Sequence, residues 1–116
     1  MSKSSLAKQI SLSREGHPKD PIKITISRLN KARLVIRSVN HMLRQNILFI
    51  LEQNKRMTVT DIFIKLRLEQ SVASQHLAIL RYYGLVKTQR DGKFIYYSLN
   101  MDRIEEIVGL INELAK

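Results

Sequence analysis

Three histidines, ten carboxylates and no cysteine are the groups in this 116-residue chain that could hold a transition metal or relay a proton near neutral pH. Without sulfur there is no disulfide, no thiolate metal site and no thiol redox chemistry. His17, His41 and His76 have no ligand-like spacing, and Glu105 and Glu106 point to different faces of any helix that carries them, so they form no acid–base pair. No nucleophile-elbow or phosphate-loop pattern occurs. The sequence therefore predicts no catalytic residue, no cofactor and no metal site, and an enzymatic reading lacks its parts.

What remains is recognition by hydrogen bonding and charge. Gln70, Ser71, Ser74 and Gln75 lie within six residues of one another. A Gln amide can bond an adenine edge in two places, and a Ser hydroxyl can reach a base or a phosphate. His76 follows them and admits two readings, a contact to DNA or an inward structural bond. Arg90 and Lys93 flank a turn and could meet a phosphate or a minor groove, with ordinary surface charge as the alternative. Lys23, Arg28, Lys31, Arg33 and Arg37 bring further positive charge without an intervening acid. Residues 1–100 hold 18 Lys/Arg against 6 Asp/Glu, whereas 101–116 hold two against four. A basic body with an acidic end suggests a polyanion-binding surface, for which the elements below point to double-stranded DNA, kept apart from a self-associating surface, with a merely soluble basic protein as the alternative.

The elements that would position these groups follow from the apolar pattern. Residues 1–21, rich in Ser and Lys and ending in two prolines, read as a flexible basic arm, and 22–116 as one domain. Ile22–Ile26 alternates like a strand, but Leu29, Ala32, Val35, Ile36 and Val39 recur at helical spacing, which favours a helix from about Thr25 to Val39. Met42 to Leu51 gives a second apolar stripe. Thr58-Val59-Thr60-Asp61 is a capping-box pattern, with Met57 and Ile62 placed for a hydrophobic staple, and it predicts a third helix from Val59 to Leu66. A fourth helix, through Val72, Ala73, Leu77 and Leu80, ends at Gly84. Val86–Arg90 and Phe94–Leu99 flank Asp91-Gly92, a tight-hairpin dipeptide. Phe94, Tyr96, Tyr82 and Tyr83 are read as completing a small core rather than as base-stacking platforms. A last helix, Asp102 to Leu114, carries Ile104, Ile107, Val108, Ile111 and Leu114 on one face. With Leu29, Val35 and Ile36 these form the expected homodimer seam. The fold class is mainly α with a small β-hairpin, a dimeric winged helix-turn-helix in the order α-α-α-α-β-β-α.

That order resembles the ArsR/SmtB family of repressors over roughly residues 30–115. Arg44-Gln45-Asn46-Ile47-Leu48 is similar to the family's R-L-x-I-L, and Gln70 to Leu77 to its Q-S-T-V-S-x-H-L recognition helix. Leu80 to Val86 matches L-R-x-x-G-L-V, and Gly92 to Leu99 matches the wing's G-R-x-x-Y-Y-x-L. The resemblance implies a regulator, most simply a repressor, that binds a pseudo-palindromic operator as a homodimer.

The departures also carry information. Met42 stands where the family usually has Pro. The thiolate motif C-V-C-D-L appears as Thr58-Val59-Thr60-Asp61-Ile62, whose hydroxyls do not replace thiolates for soft metals. Residues 100–116 contain no His for the family's other metal site. An organic ligand or a partner protein is left as the effector, if one exists. The rival readings are a constitutive or architectural winged-helix DNA-binding protein and a winged-helix protein-interaction module. No apolar run spans a membrane and no secretory signal is evident, so the expected location is cytoplasmic, at the nucleoid.

Overall fold

A computed structural model describes residues 8–116, which divide after Val35 into two compact units. In the first, strands β1 (Gln9–Arg14) and β2 (His17–Thr25) form an antiparallel ribbon that runs without a linker into helix α1 (Ile26–Val39). The Ile26 amide donates to the Lys8 carbonyl at 3.0 Å, closing the ribbon's base onto the helix start. This corrects the arm expected over residues 1–21, because a boundary at residue 21 falls inside β2. The alternation of Ile22 and Ile24 is a true strand signal: Ile10 pairs with Ile24 and Leu12 with Ile22, giving one aliphatic face. The prolines forbid a helix there but not a strand with open edges. Residues 1–7 of the expected arm lie outside the described residues.

The second unit contains the end of α1, then α2 (Met42–Asn54), β3 (Arg56–Met57), α3 (Val59–Leu66), α4 (Gln70–Tyr82), β4 (Val86–Asp91), β5 (Phe94–Leu99) and α5 (Met101–Leu114). It is a winged helix: three helices and a three-stranded sheet in the order β3-β5-β4, followed by a terminal helix. Ile47, Leu51, Ile62, Ala73, Leu77 and Leu80 are fully buried and supply the core that α2, α3 and α4 share. No helix of the described residues is long and apolar enough to cross a membrane.

Each boundary has a local cause. The Thr58 hydroxyl accepts from the Asp61 amide at 3.1 Å while the Asp61 carboxylate accepts from the Thr58 amide at 3.0 Å, so α3 starts on the reciprocal cap expected of it. It stops on Arg67 at φ 54°, with the Leu68 amide bonded back to the Phe63 carbonyl at 2.9 Å. α4 stops the same way on Gly84 at φ +81°, the Leu85 amide reaching the Leu80 carbonyl at 2.9 Å. The hairpin turn lies one residue later than the dipeptide suggested. Asp91 pairs with Phe94, so Gly92 and Lys93 form the loop, and only Gly92 takes positive φ, at +63°. Gly at the first central position is the pattern of a type II′ turn. Strand β3 is too short for a sequence signal. It sets Arg56 opposite Ser98 and Met57 opposite Tyr97, tying the α2–α3 junction to the wing.

Candidate nucleic-acid interface

On α4 the buried residues Ala73, Leu77 and Leu80 fix which side meets the core. At about 100° per residue, Gln70, Ser71, Ser74 and Gln75 then share one arc of roughly 140° that borders the core line at Gln70 and faces away from it at Ser71 and Gln75, and all four are exposed. They sit in the N-terminal half of the helix that follows the α3–α4 turn, the position from which a recognition helix presents side chains to base edges. Glu69 occupies the N-cap but makes no side-chain cap bond, so the first amides of α4 remain available to a phosphate oxygen. Composition alone could not show that.

His76 stands apart from this group. It is half-buried, and its Nδ1 lies 3.2 Å from Arg44 Nη1. The ring of His41 packs against it at a centroid separation of 4.6 Å. Burial pushes His76 below the ordinary histidine range, and the charges of His41 and Arg44 add to that. Sequence spacing kept these two histidines apart, and the α1–α2 corner brings them together. Among the described residues there is no cluster of three or more His, Cys, Asp or Glu able to hold a metal ion. The Thr58–Asp61 segment, where the family's thiolates would lie, forms with Lys93–Tyr97 an open groove of about 560 Å³. Its Thr58 hydroxyl and Asp61 carboxylate already serve the helix cap.

The wing presents Arg90 and Lys93 to solvent on either side of its tip. Arg56, which the sequence reading passed over, braces it from β3: its guanidinium lies 4.1 Å from the Tyr96 ring centroid and 3.6 Å from the Asp91 carboxylate. Two aromatic residues expected in the core are not there. Phe94 is 50 % exposed because it pairs with Asp91 at the two-residue turn, at the tip of the hairpin. Tyr82 is 82 % exposed because it falls on the same side of α4 as Ser71 and Gln75. Tyr83 and Tyr96 are half-buried.

Of the expected seam residues, Leu29, Ile36, Val108 and Leu114 are exposed, and Val35, Ile104 and Ile111 are half-buried. Ile107 is the exception, buried within its own chain and hence part of the core. Met101 and Leu110 are exposed apolar residues of α5 that the one-face pattern omitted.

A basic chain whose recognition helix offers an exposed polar face beside a two-stranded wing is a DNA-binding transcription regulator of the winged helix-turn-helix class. Comparison with known proteins places it more closely. Residues 43–88, which run from α2 to β4, match the family model described as bacterial regulatory protein, arsR family. An uncharacterized HTH-type transcriptional regulator of Methanocaldococcus jannaschii is 33 % identical over 89 residues, covering 77 % of this chain and all of that one. The crystal structure of the transcriptional repressor PagR of Bacillus anthracis matches with a TM-score of 0.59 at 36 % identity, over 74 % of this chain and 97 % of that chain. HlyU of Vibrio cholerae matches with a TM-score of 0.59 at 31 % identity, over 75 % and 94 %. The chain belongs to the ArsR family of bacterial regulators.

Proposed function

We propose that the protein is a sequence-specific regulator, in the simplest case a repressor, that binds a pseudo-palindromic operator as a homodimer and occludes it. Two copies would set two α4 helices into successive major grooves, with Gln70, Ser71, Ser74 and Gln75 at base edges and Arg90 and Lys93 at backbone phosphates or the adjoining minor groove. The observation that carries this reading is the exposed polar arc of α4, outside the core line of Ala73, Leu77 and Leu80. The surplus of Lys and Arg supports the phosphate component. Dimerisation is supported by the apolar residues that α5 leaves exposed, Val108, Leu110 and Leu114. The same relatives include a protein named a repressor, PagR, and one named an activator, HlyU, so the direction of control depends on where the operator lies relative to a promoter.

No metal signal enters this reading, and no enzymatic step does. The positions of the family's thiolates hold Thr58 and Thr60. Release from DNA then depends on an organic ligand, a partner protein or abundance alone. The deciding experiment is a nuclease footprint on the DNA upstream of the protein's own coding sequence, with selection from a random duplex pool as the unbiased counterpart. A protected two-fold-symmetric site is the expected result, and binding without sequence preference would leave an architectural role instead.

A further inference from the structure

Arg44 is the one buried side chain of the described residues that carries a full charge, at 7 % exposure, and it does not spend that charge on a carboxylate. Its Nε donates to the Ser38 carbonyl at 2.6 Å and its Nη2 to the Arg37 carbonyl at 3.1 Å, both at the C-terminal end of α1, where the helix dipole is negative. The remaining amine, Nη1, faces His76 Nδ1 on the recognition helix at 3.2 Å. A guanidinium only donates, so this Nδ1 must present its lone pair and the ring proton must sit on Nε2. His41 is in the same position. It caps α2 by accepting the Leu43 amide on Nδ1 at 3.1 Å, and its ring lies 4.6 Å from that of His76.

Each histidine therefore has one nitrogen committed as an acceptor. A second proton on the His76 ring would remove its hydrogen bond to Arg44 and place a cation beside that guanidinium. The charged groups around His76 are Arg44 of α2 and His41 at its N-cap, with Arg37 of α1 acting on Arg44. Among the described residues none of the three histidine and arginine partners is in an ion pair that would offset the new charge.

We propose that Arg44 and His76 form a tie that positions the recognition helix against the α1–α2 corner, and that protonation of His76 releases it, so that sequence discrimination falls on acidification. His76 is on this view a positioning residue, acting through Arg44, and the inference rests on the DNA-reading role of α4 proposed above. It makes the opposite prediction from a base- or phosphate-contacting His76. A histidine at the DNA would gain affinity when protonated, whereas a released helix gains charge and loses register. Non-specific binding then holds or rises while specific binding falls.

The test uses the full chain and two duplexes of equal length, one selected by the wild-type protein from a random pool and one scrambled. Between pH 7.5 and 5.5 the preference of wild type for the selected duplex should drop about ten-fold, the scale of a lost charge-assisted hydrogen bond. His76→Asn, whose Oδ1 falls where Nδ1 was and does not titrate, should keep the neutral-pH preference and lose the pH dependence. His76→Leu should show low preference at both pH values. If that variant is not folded by circular dichroism, the Asn variant decides. A wild-type preference that is flat or rises on acidification would overturn the tie. Nitrogen-15 spectra of the free protein supply a readout independent of DNA: His76 should be the Nε2–H tautomer at pH 7.5, and an Nδ1–H tautomer also overturns it. Should wild type select no sequence, the regulator reading fails, and the tautomer alone then judges the tie.

Discussion

Ile107 and Val108 are consecutive on α5, yet the first is sealed in the core at 4 % exposure and the second stands 46 % open. A step of about 100° separates them. The core line of α5 is thus narrower than its apolar arc, with Val108 and Met101 left open on one flank and Leu110 and Leu114 on the other. If the seam uses these flanks, Val108→Asp and Leu110→Asp should sediment as monomers and lose the operator footprint, with unfolding free energy changed by about 0.5 kcal/mol or less. Ile107→Asp should instead unfold the chain, because it buries an unpaired carboxylate. A dimer unchanged in both exposed variants would remove α5 from the seam.

The reading face and the wing should separate by specificity. Ser74→Ala and Gln75→Ala should weaken binding to the selected site more than to random duplex, whereas Lys93→Ala should weaken both alike. With three or four phosphates met by each copy, log affinity of a dimer should fall against log salt with a slope of about −5 to −7. Equal losses across sequences for all three variants would mean that α4 is not the reader.

Acid should also cost stability. His76 has a folded-state pKa below its unfolded value, so between the two the unfolded chain binds more protons. Its contribution is complete above the ordinary histidine value of about 6.5 and is lost as pH falls through the lower folded value. The urea midpoint should decline from pH 7 to pH 5, and less steeply in His76→Asn. Identical slopes in the two proteins would place the acid sensitivity elsewhere.

Zinc, cadmium, copper and arsenite should leave operator binding unchanged. Among the described residues His41 and His76 approach each other as a ligand pair would, but each already uses Nδ1 as an acceptor. Soft metals require more donors than two imidazoles supply. Titration of a fluorescent operator complex with a chelator control checks this. Stoichiometric, chelator-reversible release at micromolar metal would reveal a site completed across subunits.

Much of the fold was legible because its signals are local. Thr58 and Asp61 are three residues apart and write the start of α3 directly, and Gly84 writes the end of α4. The exposed set on α4 followed from period alone, since fixing Ala73, Leu77 and Leu80 inward leaves Gln70, Ser71, Ser74 and Gln75 off the core line. What escaped was settled at longer range. Whether His76 turns in depends on Arg44, 32 residues away, and whether Ile107 is core depends on how much of α5 the second unit covers. A two-residue strand such as β3 has no period to detect. The ribbon is hidden in the sequence by its prolines, which rule out a helix but not a strand.

That ribbon also bears on how the protein behaves when crowded. Two strands leave two open edges, and Ile10, Leu12 and Ile22 lie half-exposed on one face, a combination that invites growth into fibres. The chain counters it along β2: Pro21 has no amide donor, and the neighbouring Lys19 and Asp20 put charge on the strand. Colloidal solubility is thereby written into the same few residues that give the ribbon its shape, and a loss of Pro21 would be felt in concentrated solution before it was felt on DNA.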